Sequence, residues 1–298
     1  MSYQIELRHY KYFLAVAEEL HFKKAADKLF ISQPGLSKQI KEMENTLGFK
    51  LFERNNRNVM LTSAGKYLKD EIALLITHNE GVIRHAKHIA AGNEGEIHLG
   101  YVGSAMQTII PKLLIQFRNK YPSIHFSLQE MDNNRQINDL LGNKIDIGFV
   151  RLNEVPTALS LRPVFDETFS LVLPQNHPIN SGNFSSLNQL KDEHFIFFEK
   201  AYSPSYHEKV ISMFEDCGFS PNISHTSVHA TTIYRLVENN FGVAIVPTSL
   251  KLGYKMNIKF IELKNIPQRA VLSLAWNKEN RNPMLQHFLT VKHILSKG

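Results

Sequence analysis

Few residues of this 298-residue chain have the types and spacing that catalysis requires. The chain has fourteen histidines, but His85 and His88 lie on a predicted long helix and the others lack paired metal-ligand spacing, so we predict no metal site. Cys217 is the single cysteine and is predicted to be a buried thiol. Nucleophile-elbow, dinucleotide-binding, phosphate-loop, zinc-protease and paired-cysteine motifs are absent. The sequence therefore argues against an enzyme and predicts no cofactor.

A second group of polar residues has the spacing of a surface that reads DNA. Gln33, Ser37, Lys38 and Lys41 fall on one face of a predicted helix. Glutamine and lysine can bond to base edges in the major groove, and serine can bond to bases or phosphates. The opposite face carries the apolar residues Leu36, Ile40, Met43 and Leu47. This helix is a candidate recognition helix.

Two preceding helices must position that face. Apolar spacing predicts helices over about 6–19 and 22–29, and Ser32 is predicted to cap the third helix, with Pro34 in its first turn. Small Ala25 and Ala26 allow a close crossing, which favours a helix-turn-helix. An ordinary three-helix bundle with a solvated face is equally compatible with the periodicity alone.

The segment after the third helix resembles a wing. Short strands are predicted over 51–54 and 59–62, joined by an asparagine-rich turn with Arg54 and Arg57 near its tip. Arginine at that place suits phosphates or a narrow minor groove. A solvated turn would account for Arg57 alone, but not for a wing placed directly after the third helix.

Taken together, these sixty residues resemble the winged helix-turn-helix of LysR-type transcriptional regulators. The matching residues include Leu7, Arg8, Phe13, Ala17, Ala25, Ala26, Leu29, Ser32, Gln33, Pro34, Leu36, Ser37, Ile40, Glu44, Leu47, Gly48, Leu51, Phe52, Arg54, Leu61, Thr62 and Gly65. The resemblance implies that Gln33, Pro34, Ser37, Lys38 and Lys41 face the groove and that Arg54 meets the DNA backbone. Lys38 stands where the family usually has arginine, so the bidentate fork is missing there.

A long helix is predicted to follow, from Thr62 to about residue 91. Its apolar residues recur every three or four positions, which is the heptad pattern of a coiled-coil pair. The seam residues are Leu68, Ile72, Leu75, Asn79, Val82, Ala86 and Ile89. Asn79 is the kind of polar member that fixes register. A helix packed on its own second domain is the alternative, but a dimer suits paired DNA half-sites.

The rest of the chain is predicted to be an α/β domain with a largely parallel sheet, because strands and helices alternate from residue 97 onward. It resembles the LysR effector domain, which is similar to type 2 periplasmic binding proteins, with two subdomains around a ligand cleft. We therefore expect a DNA-binding domain over 1–61, a linker over 62–91 and an effector domain over 92–298. Its first subdomain would comprise 92–165 and 268–298, and its second 166–267.

Candidate effector contacts lie where strands end and helices begin, because free helix N–H groups suit anions. They are Gly103, Ser104, Asn133, Arg151, Pro204 and Tyr206. Instead of contacting the effector, Ser104 and Asn133 could cap their helices. Arg151 could form a surface salt bridge. The effector half is most similar to regulators that sense aromatic-degradation compounds, through 130–131, 148–152 and 204–206. Phe165 stands where that subgroup has a second arginine, so a secondary carboxylate site is in doubt.

These observations predict a regulator that binds double-stranded DNA and an anionic aromatic or unsaturated acid as a homodimer or homotetramer. A DNA binder that needs no ligand remains open. The net charge of +6 agrees with an anionic partner, since most of the excess lies before residue 92. No signal peptide is recognisable after Met1 and the apolar runs are too short to cross a membrane, so we expect a cytoplasmic protein without membrane contact.

Overall fold

The computed structural model describes residues 5–54, 59–90, 95–253 and 255–290. The chain divides into two compact units, residues 1–83 and 84–298, which are described separately. None of the helices in the described ranges is both long and apolar enough to cross a membrane.

The first unit begins with three helices and a two-stranded wing. Helices α1 (Leu7–Glu19), α2 (Phe22–Lys28) and α3 (Gln33–Leu47) precede antiparallel strands β1 (Phe52–Arg54) and β2 (Val59–Leu61). Ser32 caps α3 by accepting the Gly35 N–H at 3.3 Å, as the sequence predicts. The side chains of Ala25 and Ala26 are fully buried where α2 crosses its neighbours. Helix-turn-helix and wing are therefore both present.

Helix α4 (Ser63–Ala90) starts against the wing. Thr62 caps it through the Gly65 N–H at 2.9 Å. Gly65 has no room for a side chain, because a Cβ there would lie 2.2 Å from the Leu51 carbonyl oxygen. The side chain of Ile72 is 4% exposed and lies in the core of the first unit, and Leu68 packs against that core.

Helix α4 thus corrects part of the predicted heptad seam. Leu68 and Ile72 pack in the core of the first unit, whereas the side chains of Leu75 and Val82 are 49% and 54% exposed. Residues three and four apart on a helix lie on the same face, so one heptad pattern covers both segments. At its start this face packs on the core of the first unit, and further along it is exposed. The exposed part of the predicted seam therefore begins at Leu75. The side chain of Ile89 lies outside the described part.

The second unit contains a five-stranded sheet in the order β4-β3-β5-β12-β6. The strands are β3 (Gly95–Tyr101), β4 (Ile124–Glu130), β5 (Ile147–Val150), β6 (Leu159–Glu167) and β12 (Ala270–Asn277). Helices α5 (Gly103–Lys120), α6 (Asn133–Leu141) and α9 (Pro283–Leu289) accompany it. The core of this layer joins α5 and α9 to the sheet through residues such as Phe117, Phe149 and Phe288.

The expectation of a largely parallel sheet is wrong at β12. Strands β3, β4 and β5 are parallel, but β12 is antiparallel to both of its neighbours, β5 and β6. The reason is topological. The chain leaves this sheet at the end of β6, builds a second layer and re-enters from the same side, so the returning strand must run the opposite way.

That second layer holds two smaller sheets. Strands β7 (Phe169–Pro174), β10 (Ala244–Pro247) and β11 (Ile258–Leu263) are antiparallel, and β8 (His194–Phe198) pairs in parallel with β9 (Asn222–Ser227). Helices α7 (Pro204–Glu215) and α8 (Ala230–Glu238) and 3₁₀ turns at Leu187–Leu190 and Thr248–Lys251 complete it. The chain crosses between the layers after Glu167 and again between Leu263 and Ala270.

Candidate functional site

The outward face of α3 carries the residues predicted to read DNA. Gln33, Pro34, Lys38 and Lys41 are exposed and Ser37 is partly exposed. Leu36, Ile40 and Met43 are fully buried on the other side of the helix. Of these groove candidates Lys38 has a carboxylate neighbour on its own helix, Glu42, at 3.9 Å. The outward face therefore has two ammonium groups beside short polar side chains. The opposite, apolar side of α3 fixes the helix in the core of the first unit.

Two polar contacts fix α3 to its neighbours. The buried His9 of α1 accepts the Glu6 N–H through Nδ1, which leaves the proton on Nε2 to be donated to Gln39 Oε1 at 3.0 Å. At the other end of α3, Glu44 is 3% exposed and accepts the N–H groups of Leu51 and Phe52 at 2.9 and 3.2 Å. The wing is thereby tied to α3. Arg57 and the side chain of Arg54 lie outside the described residues.

A separate cavity of about 270 Å³ lies in the second unit, between elements of the two layers. Four of the predicted effector residues line it, namely Gly103, Ser104, Arg151 and Tyr206. Sequence reasoning missed other lining residues, including Tyr101, Glu130, Phe198 and Tyr202. Most of them end a strand or directly precede a helix, which is the signal that would have found them.

Arg151 is buried in the cavity wall rather than paired at the surface. Its Nε donates to Ser104 Oγ at 3.0 Å, and one terminal nitrogen pairs with Glu167. Ser249 also donates its hydroxyl to the Glu167 carboxylate at 2.8 Å. The other terminal nitrogen, Nη1, is buried and bonds to no described residue. One donor of the guanidinium is therefore unsatisfied beside the cavity.

Asn133 and Pro204 are not among the residues that line the cavity. Asn133 is fully buried and supports Arg151, because its Oδ1 accepts the Arg151 N–H at 3.0 Å. The residue that caps α6 is Asp132, so the alternative capping role of Asn133 is wrong. Ser104 is likewise no cap, since α5 starts one residue earlier. At the start of α7 it is Ser203, not Pro204, that lines the cavity.

Tyr206 contributes an apolar surface to the cavity. Its side chain is 4% exposed and its hydroxyl donates to the Ile245 carbonyl oxygen. Burial raises the pKa of this hydroxyl well above its usual value. The ring is thus fixed in place, and its polar atom already has a partner.

The N-termini of three helices meet at this cavity. Residues at the starts of α5, α7 and α8 line it, namely Gly103 and Ser104, Ser203, and Ala230 and Thr231. In each case the residue before the helix gives no side-chain cap. Side chains do cap α2, α3, α6 and α9 in the described chain. First-turn N–H groups and three helix dipoles therefore face one small space, and such an arrangement favours an anion.

Two family models match the chain. One, described as a bacterial regulatory helix-turn-helix protein of the lysR family, matches residues 7–66, and one described as a LysR substrate binding domain matches residues 90–292. The HTH-type transcriptional regulator AlsR of Bacillus subtilis (strain 168) is 34% identical and covers 97% of this chain and 96% of its own length. The regulator BenM of Acinetobacter baylyi is 31% identical and covers 87% of this chain and 86% of its own length.

A solved structure extends the similarity to the whole fold. The crystal structure of full-length CbnR complexed with its target DNA superposes with a TM-score of 0.73 and 27% identity. The match covers 96% of this chain and 98% of CbnR.

Proposed function

This chain belongs to the LysR family of DNA-binding transcriptional regulators, and from that premise we propose that a small organic acid in the cavity among α5, α7 and α8 modulates its binding to promoter DNA. The observation that carries the proposal is the meeting of three helix N-termini without side-chain caps. The buried Arg151, whose Nη1 has no described partner, adds a hydrogen-bond donor beside them. A carboxylate would satisfy both features.

The effector we propose is an aromatic or unsaturated acid of single-ring size. Tyr101, Phe198, Tyr202 and Tyr206 give the cavity an aromatic wall. The cavity volume of about 270 Å³ is slightly smaller than that of sites that bind drug-sized molecules, so it suits a ligand with a single ring. The likeness of residues 130–131, 148–152 and 204–206 to the aromatic-catabolism subgroup supports an aromatic acid, whereas the match to AlsR does not by itself favour that subgroup.

Modulation would act through the two layers of the effector domain. Gly103, Ser104 and Arg151 belong to the five-stranded layer, whereas Ser203, Ala230 and Thr231 belong to the second layer. A ligand that bonds to both sets favours the arrangement in which they lie close together. In an oligomer joined through α4, such a shift would change how the DNA-binding heads are presented to paired half-sites.

We further propose that Gln33, Pro34, Ser37, Lys38 and Lys41 face the major groove, and that Arg54 and Arg57 meet the DNA backbone or minor groove. The exposure of the first five on α3 supports this assignment. The exposed Leu75 and Val82 on α4 support a homodimer, with a homotetramer as the larger form.

Isothermal titration of the full chain with a panel of aromatic and unsaturated acids tests the effector, and footprinting with and without the binding acid tests the modulation. We expect at least one acid to bind and to change the footprint. Absence of binding across the panel would contradict the effector. An identical footprint in every condition would instead favour a constitutive DNA binder.

A further inference from the structure

The cavity contains a carboxylate that a simple anion would have to approach. Glu130 ends β4 and lines the cavity with its side chain exposed, and no described residue pairs with its carboxylate. Its Oε1 lies at the start of α5, where a Cβ added to Gly103 would be only 2.7 Å away. The N-terminus of α5 is therefore already complemented by a negative charge. Among the described residues that line the cavity, Glu130 is the one acidic side chain.

The hydroxyl of Tyr202 has no hydrogen-bond partner among the described residues, although it is buried. Burial, together with the nearby carboxylates of Glu130 and Asp132, raises the pKa of Tyr202 to about 12. The side chain is therefore a neutral phenol at physiological pH, able both to donate and to accept. A buried hydroxyl without a partner is costly, so a ligand that bonds to it gains affinity.

The charges of the cavity wall are unevenly distributed. Arg151 is neutralised by Glu167 even though its Nη1 has no partner. Glu130 is an exposed carboxylate near the start of α5, and it also lies close enough to Tyr202, just before α7, to help raise the pKa of that hydroxyl. An acid with no other polar group would leave Glu130 and the Tyr202 hydroxyl without a hydrogen-bond partner.

We propose that the effector is a hydroxy or amino carboxylic acid, whose carboxylate is held by Arg151 and the uncapped helix N-termini and whose hydrogen-bond donor bonds to Glu130 and Tyr202. This proposal rests on the proposed function, which places a small organic acid in the cavity. It adds a requirement that the acid alone does not imply. Glu130 and Tyr202 are then the residues that select for the second polar group.

Titration calorimetry of the full chain with matched probes tests the requirement. The probes are benzoate, the three positional isomers of hydroxybenzoate and of aminobenzoate, and 3-hydroxybenzamide, which lacks the carboxylate charge. At least one substituted benzoate should bind about tenfold more tightly than benzoate, since a hydrogen bond to a charged group has that strength. The amide should bind more weakly than 3-hydroxybenzoate.

Two variants assign the preference to residues. In Glu130→Ala the preferred substituted benzoate should bind about tenfold more weakly, whereas benzoate should bind as well as before or more tightly, because a repelling charge is gone. Tyr202→Phe should weaken only the substituted acid. The exposed Glu154, outside the cavity, gives the control Glu154→Gln, which should bind every probe as the parent protein does.

The outcomes distinguish the donor requirement from the proposal that the cavity binds a small organic acid. If benzoate and all substituted benzoates bind with equal affinity, or if Glu130→Ala weakens them all alike, the donor requirement is wrong while the acid site stands. If no acid binds at all, the acid site is wrong and the donor requirement is wrong with it.

Discussion

The guanidinium of Arg151 pairs with the carboxylate of Glu167, and both side chains are more than nine-tenths buried. Arg151 directly follows β5, and Glu167 is the last residue of β6 before the chain crosses to the second layer. The N–H and the hydroxyl of Ser249, from the second layer, also donate to Glu167. One carboxylate thus connects the cavity wall to both layers.

We expect Arg151→Met to destabilise the effector domain by about 3–5 kcal/mol, because it leaves the Glu167 carboxylate buried without its cation. Adding Glu167→Gln should recover at least half of that loss, since the amide oxygen still accepts from Ser249 and no charge remains. Urea unfolding followed by the fluorescence of Trp276 measures this, because the single tryptophan lies in β12 of this domain. A loss below about 1 kcal/mol in Arg151→Met would show that the pair contributes little.

Glu44→Ala should loosen the wing. The change leaves the buried N–H groups of Leu51 and Phe52 without their acceptor, at a cost of about 1–3 kcal/mol. Hydrogen exchange of those two amides should become faster, and affinity should fall for all DNA sequences alike. Glu42→Ala, on the same helix, is the matched control for exchange. Unchanged protection of both amides would exclude the proposed connection.

Local patterns in the sequence predicted the head well, because each of its signals acts within a few residues. The Ser32 cap, the buried Ala25 and Ala26 and the exposed α3 face are examples. Family membership confirms that the chain is a DNA-binding regulator and not an enzyme. The resemblance to type 2 periplasmic binding proteins correctly implied the effector fold, although the direction of β12 was missed.

The features that prediction missed depend on distant contacts. Strands β6, β9 and β11 were not predicted, and the pairing of Arg151 with Glu167 depends on how β5 and β6 lie in one sheet with β12 between them. No spacing rule connects those two residues. Ser104 was assigned an alternative capping role because a serine after a strand often caps a helix, but the helix begins earlier and the hydroxyl accepts from Arg151 instead.

Gly103→Ala should alter the cavity without destabilising the fold. The new Cβ would meet Glu130 Oε1 at 2.7 Å, and this atom is the end of a flexible side chain that can rotate away. Alanine also has a higher helix propensity than glycine, which favours the first turn of α5. The unfolding free energy reported by Trp276 should therefore change by less than about 1 kcal/mol. Affinity for the substituted benzoate should fall, whereas an unchanged affinity would show that the position of Glu130 is unimportant.

Leu75→Asp combined with Val82→Asp should dissociate the dimer that we propose. Both side chains are about half exposed on α4, and a buried carboxylate in a coiled-coil seam is strongly unfavourable. Sedimentation velocity should then report a monomer. Ala73→Asp places the same charge elsewhere on the exposed surface of α4 and should leave the assembly intact. A double variant that sediments like the parent protein would exclude the exposed seam as the interface.

Gln33→Ala and Lys41→Ala should separate base reading from phosphate binding on α3. If Gln33 bonds a base edge, its removal should cost about 1–3 kcal/mol on the operator and much less on random DNA, so that specificity falls. Lys41→Ala should weaken both DNAs alike and lower the slope of log affinity against log salt by about one, because one phosphate contact is lost. Fluorescence anisotropy over a range of salt concentrations measures both effects. An equal loss on operator and random DNA for Gln33→Ala would place that side chain on the DNA backbone, and Ser37 would then be the next candidate for base reading.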